Sequence, residues 1–247
     1  MDVIFLGTNG WYDSATGNTI CILIKSEDYY IVLDAGNGIG KLDQYYQKAK
    51  PVYILLSHFH LDHIAGLHIL DKFSFGEGLV IAGPKGIRNI LNTFINQPFT
   101  KPLDDLSYQT ELLELHGEKN VFPFEIRFME LVHTTLTLGY RIHLDNKTIA
   151  YVPDTGFCPN ALSLAQNVDL LIAECAYRPG ESSEDWPHLN PQDAATIAKQ
   201  AGARRLALVH FDAQRYPTME ARNVAEMHAK KIFLNTIATR DDMNLHL

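Results

Sequence analysis

The run Ser57-His58-Phe59-His60-Leu61-Asp62-His63 constrains this chain more than any other feature, because its HxHxDH core sets His58, His60, Asp62 and His63 within six consecutive positions. One ion cannot easily use four metal-capable side chains from so short a segment, whereas two adjacent ions can share them. Immediately upstream, Val52-Tyr53-Ile54-Leu55-Leu56 is a short apolar run of the kind that forms a buried strand. The ligands therefore leave a rigid strand end, which suits a site whose geometry must be fixed. Imidazole and carboxylate donors point to zinc first, with manganese or iron as alternatives.

Three isolated residues downstream repeat this placement. His133 follows the strand-like run from Phe124 to Leu131, Asp154 follows Ile149-Ala150-Tyr151-Val152-Pro153, and His210 follows Leu206-Ala207-Leu208-Val209. Any one of them alone would more often be a solvated or hydrogen-bonded residue. Strand ends along one edge of a sheet can converge, however, and together with the first motif they describe a two-metal site.

The order HxHxDH, His, Asp, His resembles the metallo-β-lactamase fold superfamily. The resemblance spans nearly the whole chain, from Gly7-Thr8-Asn9-Gly10 through Leu33-Asp34-Ala35-Gly36 to Leu208-Val209-His210-Phe211. Within it, Glu174-Cys175-Ala176-Tyr177, then His188-Leu189-Asn190-Pro191 and a helical stretch, are similar to the ribonuclease Z and phosphodiesterase branch. The resemblance implies that His58, His60, His133 and a bridging Asp154 hold one divalent ion, while Asp62, His63, His210 and the same Asp154 hold the other. It also implies that His188 is a non-ligand general acid oriented by Glu174. Asp62 is in addition placed to accept a proton from the nucleophilic water.

Charge connects this ligand set to a reaction. Two divalent ions carry +4, and Asp62, Asp154 and a bridging hydroxide remove three, leaving about +1 to attract an anion and stabilise developing negative charge. A phosphodiester fits, with the metal-bridging hydroxide attacking phosphorus and His188 protonating the leaving alkoxide. The ribonuclease Z likeness has a limit: tRNA-processing members commonly insert a protruding arm between the third His and the bridging Asp. Here 20 residues separate His133 from Asp154, and their alternating pattern assigns them to strands. The chain also has 29 acidic against 21 basic residues, a formal charge of -8, which opposes nonspecific binding of polyanions. A small phosphodiester or nucleotide is therefore favoured over RNA as the substrate. A thioesterase or lactonase of the glyoxalase II kind, which shares the first motif, is the main alternative.

With 247 residues and 46% apolar content, the chain can bury a sizeable core. The expected architecture is α/β, a single domain over 1–247 in which two sheets pack face to face between helices. This is also the αββα sandwich implied by the resemblance. Strands are expected near 2–6, 18–25, 29–34, 79–82, 124–131, 137–145, 147–152, 168–174 and 204–209, with an edge strand at the C-terminus. Helices are expected over 38–49, 84–95, 191–200 and 217–230. Leu138, Tyr140, Ile142 and Leu144 share one face of their strand and His143 takes the other, which makes His143 an outward residue. Asn190 before Pro191 reads as a helix N-cap with proline at the first helical position.

Cys21, Cys158 and Cys175 lack CxxC spacing and indicate neither a disulfide framework nor a thiolate zinc site. The polar stretch between Ala176 and Pro187 reads as a rim loop, where Tyr177 and Trp186 could stack on a base, although packing is the commoner role for such residues. The apolar run Val3–Leu6 is too short for a signal-peptide core, and no stretch approaches the length of a membrane span, so a cytoplasmic protein is expected. A homodimer is expected by resemblance alone.

Overall fold

Alternation with period two runs through the central strands, and it decides the layering. In the strand Leu170–Glu174, Leu170 and Ile172 face one core while Leu171 and Ala173 face another. In Tyr30–Leu33, Ile31 and Leu33 face the core shared with Ile172, and Tyr30 and Val32 turn away from it. Strands buried on both faces require cover on both. In the computed structural model, which describes residues 1–47, 50–116 and 122–247, that cover is a second sheet on the inner face and helices on the outer face.

One sheet has seven strands in the order Met243–His246, Asp2–Gly7, Cys21–Lys25, Tyr30–Leu33, Val52–Leu55, Leu79–Gly83 and Thr110–Glu114. The other has six, ordered Thr236–Ala238, Leu206–Val209, Leu170–Glu174, Lys147–Val152, Thr137–Leu144 and Glu125–Leu131. Leu138, Tyr140, Ile142 and Leu144 all enter the core between the sheets, and His143 faces outward, as the alternation predicts. The outer face of the second sheet is covered by Pro159–Leu164, Pro191–Gln200 and Met219–Lys230, and that of the first by Ile87–Phe94 and two 3-10 segments, Asn37–Gln44 and Ala65–Lys72. The result is the expected αββα sandwich.

Parallel pairing brings the site-bearing ends together. Lys147–Val152, Leu170–Glu174 and Leu206–Val209 are mutually parallel, so Asp154, Glu174 and His210 lie at one edge. Glu125–Leu131 is antiparallel to a strand that is itself antiparallel to Lys147–Val152, so it also ends there, just before His133. In the first sheet, Tyr30–Leu33 and Val52–Leu55 are parallel and end at Asp34 and at the HxHxDH loop. Two hydroxyls fasten the sheets to each other at this edge: Tyr140 donates to the Leu56 carbonyl (2.6 Å) and Tyr151 to the Asp34 carboxylate (2.6 Å).

The structure departs from the sequence expectations in several places. The segment expected as a helix over 38–49 is a 3-10 helix, Asn37–Gln44, and residues 48 and 49 lie outside the described residues. The segment runs close under the first strand, since a Cβ on Gly38 would lie 2.6 Å from the Gly7 backbone. The strand expected from 18 begins at Cys21, and the strand Asn9–Gly10 pairs with Phe211–Asp212. Thr110–Glu114 and Thr236–Ala238 are parallel edge strands that only neighbouring strands reveal, because neither carries a strong alternation of its own. The helix at Pro191 is capped as expected, with Asn190 Oδ1 accepting from the amides of Gln192 and Asp193. All three cysteines are buried and unpaired.

Candidate metal centre

Every ligand expected from the sequence arrives at the same place. Atoms of His58, His60, His133 and Asp154 lie within 4.8 Å of one another, and the same holds for Asp62, His63 and His210. Asp154 stands between the two groups with one oxygen toward each. Its Oδ1 is 3.3 Å from both His63 Nε2 and His210 Nε2, and its Oδ2 is 3.8 Å from His58 Nε2 and 3.7 Å from His133 Nε2. His210 Nε2 lies 3.1 Å from His63 Nε2 and 3.2 Å from Asp62 Oδ2, while His133 Nε2 lies 3.5 Å from His60 Nδ1. Donors bound tetrahedrally to zinc at about 2.0–2.1 Å are separated from each other by roughly 3.3 Å, close to these spacings.

The chemistry of the donors also fits a cation. Three imidazoles have Nδ1 engaged, which leaves Nε2 as the free donor. His58 Nδ1 is 2.9 Å from Ser57 Oγ, His63 Nδ1 is 2.8 Å from Asp34 Oδ2, and His133 Nδ1 is 3.1 Å from the Pro187 carbonyl. His58 Nε2, in one donor set, and Asp154 Oδ1, which faces the other, are fully enclosed without a hydrogen-bond partner, a costly state that a cation in each set would relieve. Burial lowers the pKa of His58, His60 and His133, which favours the neutral, ligating form. Burial acts the same way on His63 and His210, but neighbouring carboxylates, Asp154 foremost, outweigh it and raise both. Burial alone would raise Asp154, yet His210 and His63 hold it well below the usual carboxylate range.

Beneath the ligands lies a residue whose role the sequence did not disclose. Asp34 is fully buried, and its carboxylate accepts from Ser57 N (2.7 Å), Ser57 Oγ (2.8 Å), Tyr151 Oη (2.6 Å) and His63 Nδ1 (2.8 Å). It takes a φ of 55°, a left-handed conformation that Asp tolerates better than most residues. Asp34→Asn keeps the shape but removes the charge and one acceptor. We expect a metal affinity about 10- to 100-fold weaker in this variant, measured by chelator competition. Unchanged affinity would reduce Asp34 to a folding residue.

The loop after the first strand supports the Asp62 side. Trp11 N donates to Asp62 Oδ2 (2.7 Å), and Gly10 lets the His210 ring approach, since a Cβ there would sit 2.5 Å from the imidazole. His210 itself has a φ of 54°. Arg222, fully buried on the last helix, holds this loop by donating to Thr8 Oγ1 (2.8 Å), Thr16 Oγ1 (3.3 Å) and Asn9 Oδ1, and to the Thr239 carbonyl (3.1 Å).

His188 and Glu174 form a pair beside the ligands. His188 Nδ1 lies 2.7 Å from Glu174 Oε1, and the buried Glu174 also accepts from the amides of Thr155 and Ala176, both at 2.9 Å. An atom of His188 lies within 4.8 Å of atoms of Asp154 and His210. Burial opposes a charged ring there, but the Glu174 carboxylate overcomes it and the His188 pKa is pushed up to about 9. Tyr177 is buried and packs, its hydroxyl donating to the Trp186 carbonyl, whereas Trp186 stays half-exposed and stacks on His60.

Residues 29–211 match the family model of the β-lactamase superfamily domain. The chain belongs to the β-lactamase superfamily. "Probable metallo-hydrolase YhfI" of Bacillus subtilis is 28% identical to this superfamily member over 216 residues, covering 85% of this chain and 87% of that protein. A ribonuclease Z of Sulfolobus acidocaldarius is 26% identical over 285 residues, covering 95% and 94%. That alignment is longer than this chain's 247 residues, so the ribonuclease Z carries segments with no counterpart here. Among solved structures, that of YhfI superposes with a TM-score of 0.80 at 24% identity, covering 99% of this chain and 98% of that one. Short-form human tRNase Z superposes at 0.76 with 21% identity, covering 100% and 99%. The relatives named metallo-hydrolase and ribonuclease Z are hydrolytic enzymes, and this β-lactamase superfamily member is a metal-dependent hydrolase.

Proposed function

We propose that the chain is a dinuclear phosphodiesterase acting on small diesters, with zinc as the expected metal. The observation that carries this reading is the arrangement around Asp154: two donor sets, one on each carboxylate oxygen, with the His188–Glu174 pair beside them. His58, His60, His133 and Asp154 would hold one ion, and Asp62, His63, His210 and Asp154 the second. Such ions supply an activated water and a positive field for an anionic ester. The Glu174 carboxylate at Nδ1 holds the ring and favours its protonated form, from which His188 would donate a proton to the departing ester oxygen. Asp62 accepts a proton from the attacking water. We also read the chain as one domain, because ligands come from both sheets.

The route from His133 to Asp154 supports small substrates. It consists of the strands Thr137–Leu144 and Lys147–Val152 joined by Asp145 and Asn146, both at positive φ, a tight two-residue turn. An arm for gripping tRNA has no room in this segment. The metal-loaded protein is expected to hydrolyse bis-p-nitrophenyl phosphate and cyclic mononucleotides and to bind a tRNA precursor only weakly at physiological salt. Efficient removal of a tRNA 3′ trailer would overturn the preference for small diesters. Hydrolysis of a thioester or lactone in place of every diester would replace the phosphodiesterase reading with the acyl-hydrolase one. Among the described residues no helix is long and apolar enough to cross a membrane.

A further inference from the structure

Exposed apolar side chains collect around the metal centre, each on a segment that also supplies a site group. Trp11 and Tyr12 follow Gly10, Leu61 lies between His60 and Asp62, Val132 precedes His133, Phe157 follows Asp154, and Trp186 precedes His188; all six are exposed. Among them Trp186 is the most firmly positioned. Its ring lies parallel to the His60 imidazole at 5.7 Å with an interplanar angle of 7°, and edge-on to His133 at 5.8 Å. Its carbonyl accepts from the Tyr177 hydroxyl at 2.5 Å, and the next carbonyl, that of Pro187, contacts His133 Nδ1. Half of the residue nevertheless remains exposed. An aromatic ring held against the ligands and half exposed offers a stacking surface next to the reacting centre.

Charge on the rim limits what else the substrate can carry. Segments 8–13, 57–63, 132–137, 154–158 and 186–190 contain no Lys or Arg. The arginines of the neighbouring loops are engaged elsewhere. Arg215 pairs with Asp212 (2.5 Å) and Glu181 (3.0 Å), and Arg178 Nε donates to the Arg215 carbonyl. Glu184 and Asp185, directly before Trp186, are exposed acids. A second phosphate would meet carboxylates here rather than cations.

We propose that Trp186 determines specificity by stacking on a flat aromatic group attached to one arm of the diester, and that the preferred substrate bears no second anionic group. This rests on the phosphodiesterase reading. The chain has two tryptophans, so Trp11→Phe leaves Trp186 as the sole indole reporter. In stopped-flow fluorescence of the metal-loaded variant, a cyclic mononucleotide should quench Trp186 before turnover, and the same ribose cyclic phosphate without its base should not. In the otherwise unaltered chain, Trp186→Ala should raise KM for the nucleotide about tenfold or more relative to any change for the base-free diester, the usual worth of one base stack. Trp186→Phe should recover most of the loss, and an additional 5′-phosphate should weaken binding.

An aryl methyl phosphate run in parallel tells a nucleobase from a simple aryl group by which of the two shows the larger KM change. Equal KM changes on base-bearing and base-free diesters, or quenching by the base-free compound, would overturn the stacking role. Base-dependent quenching without hydrolysis of any diester would leave that role standing and remove the phosphodiesterase reading instead.

Discussion

Asp154→Ala is expected to remove both metal ions and to lower turnover by at least about a thousandfold, because the ions supply water activation and charge stabilisation together. The physical reason is the division of one carboxylate between two donor sets, Oδ1 toward His63 and His210 and Oδ2 toward His58 and His133. Removing the carboxylate also leaves a crowd of imidazoles facing an uncompensated cavity. Asp154→Asn keeps the volume and separates loss of charge from loss of packing. Elemental analysis of folded protein measures the outcome. Close to two ions per chain in both variants would eliminate Asp154 as a shared ligand, and one ion in the wild-type protein would eliminate the dinuclear reading altogether.

His188→Ala is expected to lower turnover by roughly a hundredfold to ten-thousandfold, the usual contribution of general acid catalysis, with metal content unchanged. The loss should depend on the leaving group. A p-nitrophenolate departs readily without a proton and an alkoxide does not, so a cyclic nucleotide should suffer far more than the chromogenic diester. Glu174→Gln provides a second readout. Since Glu174 raises the His188 pKa against the effect of burial, removing its charge should move the alkaline limb of the kcat profile toward lower pH. Equal losses on both esters, or loss of an ion, would make His188 a ligand or binding residue. Its proximity to Asp154 and His210 makes that measurement decisive.

The sequence revealed much of this site because metal chemistry restricts residue type and because ligands cluster at strand ends. HxHxDH, His133, Asp154 and His210 each follow an apolar run, and apolar runs of four to eight residues report buried strands well. The alternation from Leu138 to Leu144 assigned His143 to the outside, where it is found. Asp34 was less legible. Its four accepted hydrogen bonds come from residues 57, 63 and 151, and nothing local distinguishes a carboxylate that organises such partners from one that caps a turn. The 3-10 segment after Gly36 was not legible either, and its close packing of Gly38 on the Gly7 backbone joins positions far apart in sequence.

Trp186 shows the same division. Its type and its place two residues before His188 are written in the chain, but half-exposure over the His60 ring depends on how the loop from Ala176 folds back across the first sheet's ligands. By itself the sequence determined which side chains are candidate donors, the αββα layering and the shortness of the segment between His133 and Asp154, because these follow from side-chain chemistry and from period-two patterning. Only the tertiary structure decided which oxygen of Asp154 faces which histidines, which nitrogen of each histidine is free, and what lies beneath and above the ligands. Those depend on parallel pairing that brings strand ends from both sheets to one edge, a long-range outcome that no local pattern encodes.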